Sequence, residues 1–249
     1  MDLLGGTVPA VLAMGAAALV VGYSKTALGG LGVVAVAIFA TVLPAKQSTA
    51  AILAVLIVGD LVAVWHYRRD ADWAIVRRLL PAVLPGLAIG SVFLGVVDDT
   101  TLRRTIGAIL LVLVLLQLVV KWRAGEESSS LHERRGPAWA AGSAVGFATM
   151  TANAAGAVMT LYLSAAGIDK RRFVGTNAWF FLIVNLVKVP FSVGLGLMHW
   201  RDVGRAGVLA PLVLLGGLLG YATVRRISQR GFDVAVLVAS AVAAVALLV

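Results

Sequence analysis

Cysteine is absent from the 249 residues of this chain, and charged residues make up only 13% of them. The missing thiols exclude disulfides, thiolate metal sites and cysteine nucleophiles. Histidine is also scarce, with three residues that lie far apart in the sequence. Soluble chains carry about 25% charged residues, so the low charge content disfavours a water-soluble fold. Few of the groups that enzymes use for catalysis are therefore present.

Hydrophobic residues make up 60% of the chain, and its mean hydropathy is +0.97. They occur in long uninterrupted runs, such as residues 106–120 and 234–249. A helix needs about 20 apolar residues to cross a bilayer, and it satisfies its own backbone hydrogen bonds there. We therefore predict an all-α polytopic protein of the cell (plasma) membrane.

Polar residues between the apolar runs delimit ten predicted transmembrane or re-entrant segments. These segments are residues 8–23, 27–43, 48–67, 76–97, 102–120, 137–149, 154–166, 173–190, 203–224 and 232–249. A polar stretch near the midpoint separates the first five segments from the last five. We therefore predict a first membrane repeat at residues 1–122, a cytoplasmic linker at 123–136 and a second membrane repeat at 137–249.

The two halves carry similar motifs at a nearly constant offset. Residues 22–32 contain glycines around Lys25, and residues 146–156 contain glycines around Asn153, 124 residues later. Asp60 and Asn185 differ by 125 positions. An offset that drifts by so little indicates a duplicated unit with small changes in its loops.

Positive charge is unevenly divided between the two sets of loops. If all ten segments cross, the odd-numbered loops hold 14 Lys and Arg residues and the even-numbered loops hold five, apart from Lys25 and Lys188. Cytoplasmic loops carry the excess, so we expect both termini on the extracytoplasmic side. Five crossings per half then make the repeats inverted, an arrangement that recurs among secondary transporters.

Each half begins with a pair of short apolar segments joined by a small-residue motif. Segments 137–149 and 154–166 have 13 residues each, which would reach only about 20 Å. Short, interrupted segments at matching positions indicate a binding site near the membrane midplane, with broken-helix N-termini directed at an anion. The alternative is that the small residues only allow close helix packing.

Polar residues in and near these motifs are the candidates for contact with the anion. Asn185 and Lys188 share a helix face because they are three residues apart, and buried charges in membranes are usually functional. Either lysine could instead extend to the membrane interface. The predicted binding residues are Lys25, Thr26, Gly29, Gly30, Thr149, Thr151, Asn153, Asn177, Asn185 and Lys188.

Asp60 is the only acidic residue well inside an apolar segment. An aspartate that is charged in one conformation and neutral in another can shift the balance between them. We therefore predict that Asp60 couples transport to an ion, in the first instance a proton. The alternative is a structural ion pair or a helix cap.

Four sequence motifs together resemble the TauE/SafE sulfite exporter family. They are GYSKTALGGLG at residues 22–32, LPAKQ at 43–47, GTNAWFF at 175–181 and NLVKVP at 185–190. The resemblance covers nearly the whole chain and implies a secondary carrier, usually an exporter, of sulfur-containing anions. The second half departs from the first, with Thr149 and Asn153 where the first has Lys25 and Gly29.

We therefore expect a secondary transporter that carries sulfite, thiosulfate or an organosulfonate by alternating access, and not an enzyme. A proton- or sodium-coupled carrier of small carboxylates is the alternative, and an intramembrane enzyme or a purely structural protein is less favoured. The chain has no nucleotide-binding motif, and no cofactor or metal is expected. The expected partners are a small anion and the lipid bilayer, with no nucleic acid; a homo-oligomer remains open.

Overall fold

The computed structural model is helical throughout the residues it describes, which are 7–27, 31–123, 135–156, 159, 162–163, 168–223 and 245. Five of the described helices (α1, α3, α4, α7 and α8) are long and apolar enough to cross a membrane. The prediction of an all-α polytopic membrane protein is therefore confirmed. The helices are α1 (Val8–Thr26), α2 (Gly32–Val42), α3 (Ala45–Tyr67), α4 (Trp73–Val96), α5 (Asp99–Arg123), α6 (Arg135–Ala152), α7 (Lys170–Gly194) and α8 (Trp200–Thr223).

The helix lengths correct part of the prediction from sequence. α6 has 18 residues and a length of about 27 Å, which is longer than its predicted segment 137–149, but it is not among the helices apolar enough to cross a membrane. Gly136 at its start and Thr151 at its end continue the helix although they are not strongly hydrophobic. α1 has 19 residues and is among those helices, so the expectation that its segment 8–23 is too short to span was wrong. α2 has 11 residues and is short, as predicted. Most of segments 154–166 and 232–249, and linker residues 124–134, lie outside the described residues.

Aspartates begin three of the helices. Asp72 and Asp169 each accept hydrogen bonds from two backbone N–H groups, in the first turns of α4 and α7 respectively. Ahead of α5, Asp98 accepts from the backbone N–H of Thr101 over 3.0 Å, and hydrogen bonds from Thr101 lower the pKa of the Asp98 carboxyl. Such caps satisfy backbone donors that a helix start leaves unpaired.

The polar ends of the helices form two groups, one at each end of α3. At the C-terminal end of α3, the backbone N–H of Asp72 donates to Thr176 Oγ1 over 2.9 Å, which brings the starts of α4 and α7 together. At its N-terminal end, the backbone N–H of Lys46 donates to Asp99 Oδ1 over 2.8 Å, which joins the starts of α3 and α5.

Glycines allow α1 and α8 to pack at close range. A Cβ added at Gly22 would overlap the backbone carbonyl of Val213, and a Cβ added at Gly216 would overlap that of Leu19. Close approach of two backbones through small residues is a common form of helix association in membranes. α1 of the first half is thereby held against α8 of the second half.

The same arrangement joins α4 of the first half to α6 of the second half. A Cβ at Gly86 would overlap the backbone carbonyl of Ser143, and a Cβ at Gly146 would overlap that of Val83. Gly146 follows Gly22 by 124 positions, and Val213 follows Val83 by 130. Each close contact between the halves therefore has a counterpart at equivalent positions.

α3 and α7 occupy the centre of the molecule and contact each other. In the 18-residue stretch of each helix that is apolar enough to cross a membrane, 72% of the residues of α3 and 67% of those of α7 are buried, against 33–44% for α1, α4 and α8. Asp60 lies on α3, whereas Asn185 and Lys188 lie on α7. The polar groups that the sequence places inside apolar segments are therefore on the two most enclosed spanning helices.

Candidate functional site

A buried ion pair joins α1 to α3. Lys25, in the last turn of α1, places its Nζ 2.6 Å from Oδ1 of Asp60. Asp60 is fully buried, and its other oxygen, Oδ2, accepts a hydrogen bond of 2.6 Å from Nδ2 of Asn185 on α7. Gly59 makes room for the lysine, because a Cβ there would lie 3.1 Å from Lys25 Cγ. Asp60 therefore neutralises Lys25 within the protein.

Lys188 is buried without a carboxylate. Its side chain is on the central helix α7, and the residue is only 1% exposed. The ammonium donates to Thr149 Oγ1 at 3.3 Å, Asn153 Oδ1 at 2.5 Å and Asn185 Oδ1 at 3.4 Å. Three acceptors match the three N–H donors of an ammonium group. Lys188 thus points into the protein and does not extend to the membrane interface.

Asn153 adopts the left-handed backbone conformation just after α6 ends. Its φ of +49° is the only positive φ at a non-glycine position in the described part of the chain. Asparagine tolerates this conformation better than most residues. The side chain is held at both ends, because Nδ2 donates to the Thr49 carbonyl of α3 over 3.1 Å and Oδ1 accepts from Lys188. The end of α6 thereby supplies an acceptor to α7.

A small cavity lies beside these groups, between the two halves of the chain. Its volume is about 40 Å³, whereas one water molecule needs roughly 10–15 Å³ of such space. The cavity therefore has room for a small ion or a few waters, and not for a bulky organic molecule. Its lining residues are Ser24, Lys25, Gly32, Val33, Leu56, Thr149, Asn153, Gly156, Asn177, Phe181 and Asn185.

Asn177 gives the cavity an unused polar group. The residue is 6% exposed, and its Oδ1 has no hydrogen-bond partner among the described residues. Buried polar atoms are nearly always paired in native structures, with protein or with a bound molecule. Asn177 therefore indicates that the cavity holds a polar occupant.

Phe181 fixes the position of the Lys25 ammonium from the other side. The lysine nitrogen lies 4.7 Å from the centre of the Phe181 ring, within the range of a cation–π interaction. A charge held between a carboxylate and an aromatic face has a defined position at the cavity wall.

The N-terminus of α2 reaches the cavity, as the broken-helix hypothesis predicts for the first half. Gly32 and Val33 begin this helix and line the cavity. The backbone N–H of Gly32 donates to Ser24 Oγ over 2.9 Å, which ties the start of α2 to α1. In the second half Gly156 also lines the cavity, but most of the residues that follow it lie outside the described ones.

Several predicted binding residues lie away from the cavity. Thr26 donates to the Gly217 carbonyl over 2.7 Å and so fastens α1 to α8. Thr151 donates to the Phe147 carbonyl over 2.8 Å, within its own helix α6. Neither threonine lines the cavity, and Lys188 adjoins it only through Thr149, Asn153 and Asn185. Gly29 and Gly30 lie outside the described residues.

Six lining residues were not among the predicted binding residues: Ser24, Gly32, Val33, Leu56, Gly156 and Phe181. Ser24 and Phe181 belong to the motifs at residues 22–32 and 175–181, so their proximity to the cavity follows from the same signal that identified Lys25 and Asn177. Leu56 lies one turn before Asp60 on α3, and nothing in its apolar surroundings distinguishes it in the sequence.

Comparison with known proteins supports the resemblance seen in the motifs. A family model described as Sulfite exporter TauE/SafE matches residues 14–247, nearly the whole chain. No curated protein and no solved structure matches the chain.

Proposed function

This chain belongs to the Sulfite exporter TauE/SafE family, and we propose that it is a secondary transporter that exports a small sulfur-containing anion. Sulfite, thiosulfate and small organosulfonates are the candidate substrates. The observation that carries the proposal is the cavity of about 40 Å³ with Lys25 in its wall. Its size favours sulfite-like ions over larger sulfonates.

The chemistry of the cavity wall suits an anion that has left water. An ion taken into a low-dielectric interior needs charge and hydrogen bonds to replace its hydration. Lys25 supplies charge at the wall, and Thr149, Asn153, Asn177 and Asn185 supply hydroxyl and amide groups from two different helices. Hydrogen bonds to charged groups contribute about 1.5–3 kcal/mol each, so a few of them suffice for specific binding.

We further propose that the chain forms two five-helix inverted repeats, ten helices in all, with both termini extracytoplasmic. The reciprocal contacts of Gly22 with α8 and Gly146 with α4 support this. α4 and α8 also have equal lengths of 24 residues, and each begins with tryptophan. The starts of α4 and α7 lie together at the C-terminal end of α3, and the starts of α3 and α5 lie together at its N-terminal end. Loops that alternate between the two sides of a membrane would be grouped in this way. Alternating access would then move one repeat relative to the other around the cavity.

A carrier of small carboxylates coupled to protons or sodium is the second candidate. The observation that favours it is the contact of 2.6 Å between Lys25 and the carboxylate of Asp60, because it places a carboxylate on the lysine of the cavity wall. Asp60 remains our candidate for ion coupling in either case. We do not propose an enzyme, since Lys25 is engaged by Asp60 and the Ser24 hydroxyl accepts from Gly32.

Ligand-induced stabilisation of the purified protein distinguishes the two candidates. A ligand that binds the folded state stabilises it by RT ln(1 + [L]/Kd). We expect sulfite, thiosulfate or methanesulfonate to raise the thermal unfolding temperature of the wild type and not that of Lys25→Gln, and acetate and succinate to have little effect. Stabilisation by the carboxylates alone would favour the second candidate. No stabilisation by any of these anions would contradict an anion-binding role.

A further inference from the structure

The buried charges of the site do not cancel. Lys25 and Asp60 form an ion pair, but Lys188 is held only by the neutral groups of Thr149, Asn153 and Asn185. No carboxylate of the described residues lies within 4.0 Å of Lys188. With both lysines protonated, two ammonium groups and one carboxylate leave the empty site with one surplus positive charge.

Other charged residues do not alter this count. Lys25 is the only charged residue among those described that lines the cavity, and its partner is Asp60. Asp202 and Arg205, the other buried charges of the described residues, pair with each other over 3.1 Å on α8. The undescribed residues that adjoin the lining segments in sequence, 28–30, 157–158, 160–161 and 164–167, contain no Asp, Glu, Lys, Arg or His.

We propose that the site selects anions by charge and takes a monoanion, such as hydrogensulfite or a sulfonate, in preference to a dianion such as sulfate. This rests on the proposed anion-binding function. An uncompensated charge in a low-dielectric interior is costly. A monoanion brings the site to zero net charge, whereas a dianion leaves one surplus negative charge and a neutral ligand leaves the positive one. Asp60 sets this preference because it cancels one of the two lysines.

The preference can be reversed by removing the carboxylate. Asp60→Asn keeps the shape of the side chain and changes the charge of the empty site from one positive to two. One additional ligand charge roughly 6–12 Å from the altered group changes affinity by roughly 10- to 100-fold at an effective dielectric constant of about 20. We therefore expect the ratio of sulfate affinity to methanesulfonate affinity to rise by that factor in Asp60→Asn.

The experiment is a calorimetric titration of purified protein with methanesulfonate and with sulfate at pH 7 and constant ionic strength. Methanesulfonate carries one negative charge and sulfate carries two, and both present a similar cluster of sulfur-bound oxygens. Each anion is compared with itself across variants, so that general effects of sulfate on protein stability cancel. Asp70→Asn is the matched control, because Asp70 is a surface residue paired with Arg171 over 3.4 Å.

Two further variants keep the test decisive if Asp60→Asn does not fold. The double variant Lys25→Gln/Asp60→Asn restores a single positive charge, so we expect its sulfate-to-methanesulfonate ratio to stay within about 3-fold of the wild type. Lys188→Gln brings the charge to zero, so methanesulfonate affinity should fall by at least about 10-fold with no gain for sulfate. These expectations follow from the same Coulomb estimate.

Outcomes that overturn charge selection differ from those that overturn anion binding. A wild type that binds both anions but prefers sulfate would overturn charge selection alone. So would a folded Asp60→Asn variant whose affinity ratio equals that of the wild type and of Asp70→Asn. A wild type that binds no anion would instead overturn the proposed function itself.

Discussion

The two buried lysines of the site are held in opposite ways. Lys25 lies at the end of α1, where a carboxylate, an aromatic ring and the carbonyl end of its helix all favour a positive charge. Lys188 lies within α7, six residues before its last, and its partners are an alcohol and two amides. The protein neutralises the charge of Lys25 with a carboxylate, whereas it surrounds Lys188 with hydrogen-bond acceptors that carry no charge.

This difference separates two tasks that a transport site must perform. The pair of Lys25 and Asp60 links α1 to α3 and stabilises the empty protein, since each charge would be costly alone. Lys188 contributes a charge that has no counterion in the described part of the protein. An incoming anion can act as that counterion. Asn153 and Thr149 connect this charge to the cavity wall. Mutations at the two lysines should therefore differ in whether stability or anion affinity changes more.

The largest expected change in stability is that of Lys25→Gln. This substitution leaves the fully buried Asp60 carboxylate without its cation, and breaking a buried pair on one side costs about 3–5 kcal/mol. Lys25→Gln/Asp60→Asn removes both charges and should recover most of that loss. Thermal or denaturant unfolding of the purified variants measures both effects. If Asp60 instead stabilised the protein independently of Lys25, the double variant would be less stable than Lys25→Gln.

The second lysine should show the opposite balance. Lys188→Gln keeps a hydrogen-bonding side chain among neutral partners, so we expect a smaller loss of stability, about 1–2 kcal/mol. Anion affinity should fall by about 10- to 100-fold, since a positive charge roughly 6–12 Å from the anion is lost at an effective dielectric constant of about 20. Calorimetric titration with sulfite measures this change. Wild-type affinity in Lys188→Gln would remove this lysine from the binding site.

The first glycine of each motif tests whether the two halves position their lysines independently. Gly22 sets the approach of α1, which carries Lys25, and Gly146 sets that of α6, whose Thr149 and Asn153 hold Lys188. Alanine at either glycine would overlap a backbone carbonyl of the facing helix, and such overpacking costs about 1–3 kcal/mol.

Gly207→Ala is the control for these glycine variants, because a Cβ at Gly207 has no atom within 4 Å among the described residues. We expect Gly22→Ala and Gly146→Ala to lower both the unfolding temperature and the affinity for sulfite, whereas Gly207→Ala should change neither appreciably. Equal stability of the three variants would show that the facing helices can move apart to make room for the added Cβ at no cost in stability.

Much of this arrangement could be predicted from the sequence, because ionisable residues inside apolar segments are rare. Lys25, Asp60 and Lys188 were identified on that ground, and the structure brings all three to the centre. The pairing of Lys25 with Asp60 could not be derived, since it depends on how α1 and α3 pack, which hydrophobicity does not specify. The inverted topology stays a prediction, because it depends on segments that are only partly described.

Membership of a motif was a weaker guide than position on a helix. Consecutive residues of an α-helix are about 100° apart around its axis, so Lys25 and Thr26 point in different directions. Thr26 accordingly contacts α8 and Thr151 bonds to its own helix. The length of α6 was underestimated for a related reason, because a hydropathy threshold excludes the small polar residues at its ends that nevertheless form helix.

The smallest predicted effects concern two threonines of α6 that the sequence does not distinguish. Thr149 lines the cavity and accepts from Lys188 over 3.3 Å, whereas Thr151 donates to the Phe147 carbonyl, which lies in its own helix. Valine preserves the size of threonine and removes the hydroxyl. Thr149→Val should weaken sulfite binding by roughly 3- to 10-fold, because a long hydrogen bond to a charged group is lost. Thr151→Val should leave affinity unchanged and alter stability by less than about 1 kcal/mol. Calorimetric titration of both variants decides the matter, since equal losses of affinity would mean that the hydroxyl contact to Lys188 has no part in binding.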